Sequence, residues 1–224
     1  EVEYEDHTSN TIYVKFLITK SNISELIGSS IVIWTTTPWT IPGNRALAYG
    51  NELNYSLIEV QEVVGTSIVS IGDKLIFAKE LIAKVTEEIG ITKYFTHKEF
   101  KGHKLKGSEC EHPFKQLGYD FIVRSFHGDF VNLEQGTGIV HIAPGHGEDD
   151  YHLGIKNNIE IVQTVLDDGK FNQHAKGFEG EHVYKVDSKI ADKLKEYGKL
   201  LYQGTLTHSY PHSWRSKAPL IYRN

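Results

Sequence analysis

The chain has no methionine, not even at position 1, and only one cysteine. A complete gene product begins with Met or has had it trimmed, and normally carries others, so the sequence reads as a piece cut from a longer protein. A lone cysteine, Cys110, excludes an internal disulfide and suits a reducing, cytoplasmic setting. Its neighbours Glu109 and Glu111 would raise a thiol's pKa, so a nucleophilic role is not expected. No stretch approaches the roughly 18 apolar residues of a membrane-spanning helix. The opening run Glu1 to Ser9 is acidic and polar, unlike a signal peptide. A basic excess is lacking too. The net charge is −5, which argues against wide, autonomous nucleic-acid binding and leaves room only for a local patch. Lys and Arg cluster at Arg215, Lys217 and Arg223, and at Lys101, Lys104 and Lys106.

What is present is ordinary for a globular protein: 224 residues, 39% hydrophobic and 24% charged. Thr11 to Thr19 alternates in its first half, and Ile31-Val32-Ile33 is a β-branched run; both predict strands. Residues 54–60 and 67–71 are further strand candidates, with Gly65 suggesting a hairpin between them. Leu75, Ala78, Ile82, Val85 and Ile89 recur at helical spacing, with Asp73 as N-cap and Gly90 as stop. Residues 120–126, 137–143 and 159–165 read as short strands. Glu148 to Asn157 and Asp187 to Tyr197 read as helices, Asp167-Asp168-Gly169 as a turn, and the segment from Leu200 as strand and irregular structure. There is no repeat and no clear linker. Many short strands with few helices predict an α+β fold with a β-barrel-like core and peripheral helices, as a single domain over residues 1–224.

Two segments are dense enough to carry chemistry. The first, residues 34–44, reads Trp-Thr-Thr-Thr-Pro-Trp-Thr-Ile-Pro-Gly-Asn. It follows a buried strand, and Pro38 breaks the ladder. Thr35, Thr36 and Thr37 then present hydroxyls and backbone N–H groups at a strand mouth, a place to hold a small polar ligand. The bland alternative is a run of β-forming residues. The second segment runs from Gly136 to Tyr151 and includes Ile142-Ala143-Pro144-Gly145-His146-Gly147-Glu148-Asp149-Asp150. Ile139, His141 and Ala143 share one strand face, and the three carboxylates fall in a helix's first turn, where they suit the dipole. His141 and Asp150 could converge on one pocket. Equally, His141 could be a core histidine with satisfied hydrogen bonds, and Asp149 at least a first-turn carboxylate. A metal set of His141, His146, Asp149 and His152 is the sharpest competitor, but no recognised ligand spacing supports it. The Gly136-x-Gly138 pair lacks the dinucleotide fingerprint, and neither a nucleophile elbow nor a P-loop occurs.

Together these two segments resemble the editing (CP1) domain of isoleucyl-tRNA synthetase, an insertion in the catalytic domain of that class I enzyme. The valyl and leucyl relatives carry Thr-Thr-Arg-Pro and Pro-Ala-His types of segment where this chain has Thr-Thr-Thr-Pro-Trp-Thr and Pro-Gly-His. The run Gly145-His146-Gly147-Glu148-Asp149-Asp150-Tyr151 has a bacterial or organellar look. Tyr210-Pro211-His212-Ser213-Trp214-Arg215 resembles the return strand to the catalytic domain, with Ser213 where many members have Cys. The aminoacylation signatures His-Ile-Gly-His and Lys-Met-Ser-Lys-Ser are absent from the chain.

The resemblance implies a hydrolase that removes valine from the 3′ end of the isoleucine tRNA, and acts on valyl-adenylate as a further candidate. A single methylene is worth only about 1–3 kcal/mol in a hydrophobic pocket, a limit for which the isoleucyl system is itself the standard illustration. A second, hydrolytic site is the remedy. By resemblance Asp150 anchors the α-ammonium and His141 walls the pocket against isoleucine. Thr36 and Thr37 position water and steady the oxyanion. Thr35, Trp39 and Asn44 shape the contacts to adenosine and side chain. No cofactor is implied for editing; ATP and Mg belong to the parent enzyme. The implied partners are the tRNA end and the rest of the synthetase, in a monomeric, cytoplasmic enzyme without membrane contact. Two other classes stay open: an RNA-end binding module, and a free-standing hydrolase, against which the missing initial Met argues.

Overall fold

The structure is a computed structural model in which residues 1–223 are described. Ten strands form one mixed sheet: β1 (Val2–Lys20), β2 (Ser30–Thr35), β3 (Ala46–Tyr49), β4 (Asn54–Val63), β5 (Lys74–Ala78), β6 (Ile91–Lys101), β7 (Glu109–Glu111), β8 (Ile122–His127), β9 (Ile139–Ile142) and β10 (Leu200–Ser213). Among the described residues three α-helices lie outside it: α1 (Ile82–Ile89), α2 (Glu148–Lys156) and α3 (Asp187–Glu196). The spatial order is β6-β4-β5-β2-β1-β7-β8-β3-β9, with β10 paired to β1. The α+β expectation, with a β-rich core and peripheral helices, holds. The sheet is an open path rather than a hydrogen-bonded ring. It still curls far enough to bring the segment before β9 against its middle strands. The Thr137 hydroxyl donates to the Val32 carbonyl at 2.7 Å, and the Ala78 N–H donates to the Thr137 carbonyl at 2.8 Å.

Strand β2 is central, between β1 and β5. A strand covered on both faces needs an unbroken apolar run rather than alternation, and Ile31, Val32 and Ile33 are all fully buried. Thr35, opposite Ile12 of β1, is the last ladder residue. The chain then leaves the sheet at the proline. Strand β9 arrives beside β3, with His141 opposite Leu47, and α2 follows five residues after it.

Several local expectations are overturned. The supposed helix from Leu75 begins only at Ile82; Lys74–Ala78 is β5. The helical spacing there is incidental, because Ile76 and Phe77, which lie off that face, are as buried as Leu75. Asp73 is no N-cap: its carboxylate pairs with Lys15 at 3.2 Å. Gly90 does end the helix, in the left-handed region at φ +85°. Residues 67–71 are not a strand, and the hairpin partner of β4 is β5. The run 159–165 is also no strand; it finds no sheet edge, and only Val165 makes an isolated bridge, to Phe171. In the other direction, β1 extends back to Val2 and β10 forward to Ser213, giving a long two-stranded ribbon that the polar opening residues did not signal.

Gly138, at φ +77°, sets the approach of β9 to the middle of the sheet. A Cβ there would stand 2.5 Å from the Cβ of Ala78, and the Gly138 carbonyl accepts a 2.6 Å hydrogen bond from the buried Tyr55 hydroxyl. Gly138→Ala therefore combines backbone strain with a collision. It should lower the free energy of unfolding in urea by about 1–3 kcal/mol or more; an unchanged midpoint would contradict this packing.

Candidate active site

The threonine segment is a short, self-bonded turn. Thr35 Oγ1 accepts the Thr37 N–H at 3.1 Å and lies 3.2 Å from Thr37 Oγ1. Pro38 opens a 3-10 turn, Pro38–Gly43, at a position where its missing N–H costs nothing. The Thr40 hydroxyl lies 2.9 Å from the Thr37 carbonyl and 2.9 Å from His141 Nε2. A hydroxyl has one proton. Donated to the carbonyl, it leaves Thr40 Oγ1 as the acceptor of the imidazole N–H at Nε2. Nδ1 is then the unprotonated nitrogen, and the Asn44 side-chain amide donates to it at 3.2 Å. The second amide proton of Asn44 goes to the Ala46 carbonyl at 3.0 Å. This network assigns the tautomer. Burial pushes the His141 pKa down to about 4, so the ring is neutral, and it is only 7% exposed. Asn44 Oδ1 is buried without a hydrogen-bond partner.

Asp150 stands in the first turn of α2, and its carboxylate accepts the Ala143 N–H at 2.7 Å. Burial pushes its pKa up to about 6, against the pull of that hydrogen bond. Asp149, beside it, is exposed. His146 packs edge-on against Trp39, with ring centroids 5.0 Å apart, and bonds Thr164 Oγ1 at 3.0 Å. His152 is exposed on α2. Among the described residues no group of three His, Cys, Asp or Glu side chains is placed to hold a metal ion.

Thr36, Thr37 and Trp39 line a cavity of about 350 Å³ with residues of the ribbon, including His7 and Tyr210, and of α3, including Asp187. The sequence candidates therefore fall into three places. Thr36, Thr37 and Trp39 are on the cavity wall. Thr35, Asn44 and His141 are buried behind it, Asn44 and His141 tied to the wall through Thr40 and Thr35 through its own bonds to Thr37. Asp150 lies at the mouth of α2, joined to the same strand two residues past His141 through Ala143, and is not among the cavity's lining residues. Two contributors were not legible in the sequence. Thr40 sits inside the motif, but only the fold brings it to a histidine 101 residues away. Asp187 takes hydrogen bonds from Asn10, at 3.0 Å, and from the Trp39 N–H, and burial raises its pKa. Cys110 is buried, and burial, not the flanking glutamates, pushes its thiol up to about 12.

Known proteins share this architecture and sequence. Residues 14–199 match the family described as leucyl-tRNA synthetase, editing domain. Isoleucine--tRNA ligases of Pelagibacter ubique, Gluconobacter oxydans and Petrotoga mobilis are 48%, 42% and 40% identical to the chain, over all of its length. The chain spans only about a quarter of each: 24%, 25% and 22%. A solved structure described as the crystal structure of GlLeuRS-CP1 overlays with a TM-score of 0.63 at 11% identity, covering 87% of this chain and 99% of that one, which is a likeness of fold.

Thr40→Val tests the layer directly. It keeps the shape and removes the hydroxyl, leaving the His141 N–H at Nε2 buried and unpaired. It should cost about 1–3 kcal/mol of stability and change the imidazole nitrogen shifts in NMR spectra, whereas Thr40→Ser should do neither. Equal behaviour of the two variants would remove the hydroxyl from the layer. By the family match over residues 14–199, the relatives that align along its whole length and the shared fold, the chain belongs to the editing-domain family of the class I aminoacyl-tRNA synthetases, on the isoleucine--tRNA ligase branch.

Proposed function

We propose that this domain hydrolyses the ester between valine and the 3′-terminal adenosine of isoleucine tRNA, and so corrects mischarging by a parent synthetase. The observation that carries the proposal is the threonine turn itself: hydroxyls at a cavity wall, braced from behind by a neutral histidine, one short loop from a carboxylate. Water attacks the ester carbonyl carbon, the bond to the ribose oxygen breaks, and the proton passes to that oxygen, releasing valine and a free ribose hydroxyl. Thr36 and Thr37 orient water and donate hydrogen bonds to the developing oxyanion, a task for preorganised donors in a sheltered site. Asp150, ionised, holds the α-ammonium of the valyl group by a charge-assisted hydrogen bond. His141 has both ring nitrogens engaged and stays uncharged near neutral pH. That suits a rigid wall against the longer isoleucine side chain and not a general base. A neighbouring ribose hydroxyl activates the water. Trp39 bounds the adenosine side, Thr35 shapes that side from behind by holding the Thr37 N–H, and Asn44 holds the wall in place. The enzyme acts as a cytoplasmic monomer, and valyl-adenylate is a second substrate.

One deacylation assay tests both assignments. With valyl-tRNA, the rate should rise with pH through about 6 as Asp150 ionises, and Asp150→Ala should lose activity by about 100-fold or more while remaining folded. The stability sign is opposite. A carboxyl whose pKa is raised by folding favours the folded state as pH falls, so unfolding should become harder between about pH 6 and 4 in the wild type, and less so in the variant. With isoleucyl-tRNA, His141→Ala should hydrolyse a product that the wild type spares. Full activity of Asp150→Ala, or unchanged discrimination in His141→Ala, would overturn the corresponding role.

A further inference from the structure

The sequence cluster at Lys101, Lys104 and Lys106 has no part in the site described above. In the fold, Lys106 is brought to the far end of α2, where it meets Arg124 of β8 and Lys156 of the last helical turn. The three cations line a hollow of about 440 Å³. No carboxylate lines it, in a protein whose net charge is −5. All three side chains are exposed. The nearest anionic partner is Glu109, whose carboxylate is 3.9 Å from Arg124 Nε and is shared with Lys20 at 3.5 Å. Lys156 complements the helix dipole, but Lys106 and Arg124 come from other elements, so the dipole does not explain their convergence.

A second hollow, of about 220 Å³, adjoins the first and shares Arg124, Phe126 and Asn157 with it. Its wall adds Phe121, with the Arg45 guanidinium 4.3 Å from the ring centroid, and Ile122, 46% exposed on an outward face. A third, smaller hollow shares His127 and Lys156 with the first and follows α2 back to Asp149, the neighbour of Asp150. At about 1.5 Å per helical residue, Lys156 lies about 9 Å along the axis from Asp150, a distance that a short single-stranded 3′ end spans. Glu160 borders the second hollow and Asp129, paired with His127, and Asp149 border the third, so the carboxylate-free lining belongs to the first hollow, where the three cations meet. Those cations, interleaved with aromatic surface and followed by a hollow that runs along α2 toward the site, match the needs of a nucleic-acid backbone with unstacked bases.

We infer that this groove is an RNA docking surface: Lys106, Arg124 and Lys156 hold phosphates of the strand whose end reaches the hydrolytic site. The proposal rests on the reading that the substrate is carried on RNA. It adds a residue-level path to it and explains how an acidic domain grips a polyanion locally.

The test uses the chain as it stands and an uncharged RNA hairpin with a single-stranded 3′ end, followed by fluorescence anisotropy between 50 and 200 mM salt. The double variant Lys106→Ala/Lys156→Ala should bind about tenfold more weakly at the lowest salt, and the slope of log affinity against log salt should flatten by about two, one per lost phosphate contact. Its hydrolysis of a valyl ester of adenosine, which has no RNA stem, should equal that of the wild type. RNA affinity and slope equal to the wild type's, or no binding by the wild type itself, would overturn the groove. The second assay separates the two proposals. A lysine effect on RNA with no ester hydrolysis by any form would leave the groove and remove the hydrolase; hydrolysis without the lysine effect would do the reverse.

Discussion

One hydroxyl group ties the site together. Thr40 donates to the carbonyl of Thr37 and accepts from His141, so it fixes the end of β2 to β9 across a gap of 101 residues in sequence. Every neighbouring feature leans on that link. It selects the imidazole tautomer, which in turn selects the role of the Asn44 amide. It holds the turn that presents Thr36 and Thr37 to the cavity. It also keeps a buried histidine fully paired, which is what allows it to remain in the core uncharged. Tertiary structure supplies the frame: a curled sheet brings Thr137 onto Val32, and the glycine at 138 lets the two strands approach.

The electrostatics follow from the same burial. His141 is driven neutral and Asp150 is driven toward protonation, both by loss of water. A carboxylate poised near pH 6 has spare capacity for a cation, and an incoming ammonium would restore its ionised state. At the other end of α2 the surface reverses character, with cations and aromatic edges open to solvent. One nine-residue helix thus separates a half-buried carboxyl group from an exposed cationic groove.

Much of this was legible in the sequence, and the remainder was hidden for definite reasons. The β2 run, the proline break and the first-turn carboxylates are local patterns, and they appear where they were expected. So does the helix stop at Gly90. The strand β5 was missed because Leu75 and Ala78 continue the helical spacing of Ile82, Val85 and Ile89, and only burial of the off-face pair, Ile76 and Phe77, distinguishes strand from helix. The run 159–165 has strand composition but pairs with no strand of the sheet, and Val165 bridges only to Phe171. Thr40 and Asp187 were missed because their partners are remote in sequence, and the convergence of Lys106 with Arg124 and Lys156 has no local signature at all. The roles proposed for His141 and Asp150 come from the motif resemblance; spacing alone left them open.

The central claim is that the threonine turn, His141 and Asp150 surround one valyl group. A crystal structure with a non-hydrolysable valyl-adenosine analogue tests it most directly. The ammonium should lie within hydrogen-bond distance of the Asp150 carboxylate, the carbonyl should face Thr36 and Thr37, and the valine methyls should point toward His141. An analogue seated elsewhere, or one whose ammonium is held without Asp150, would contradict it.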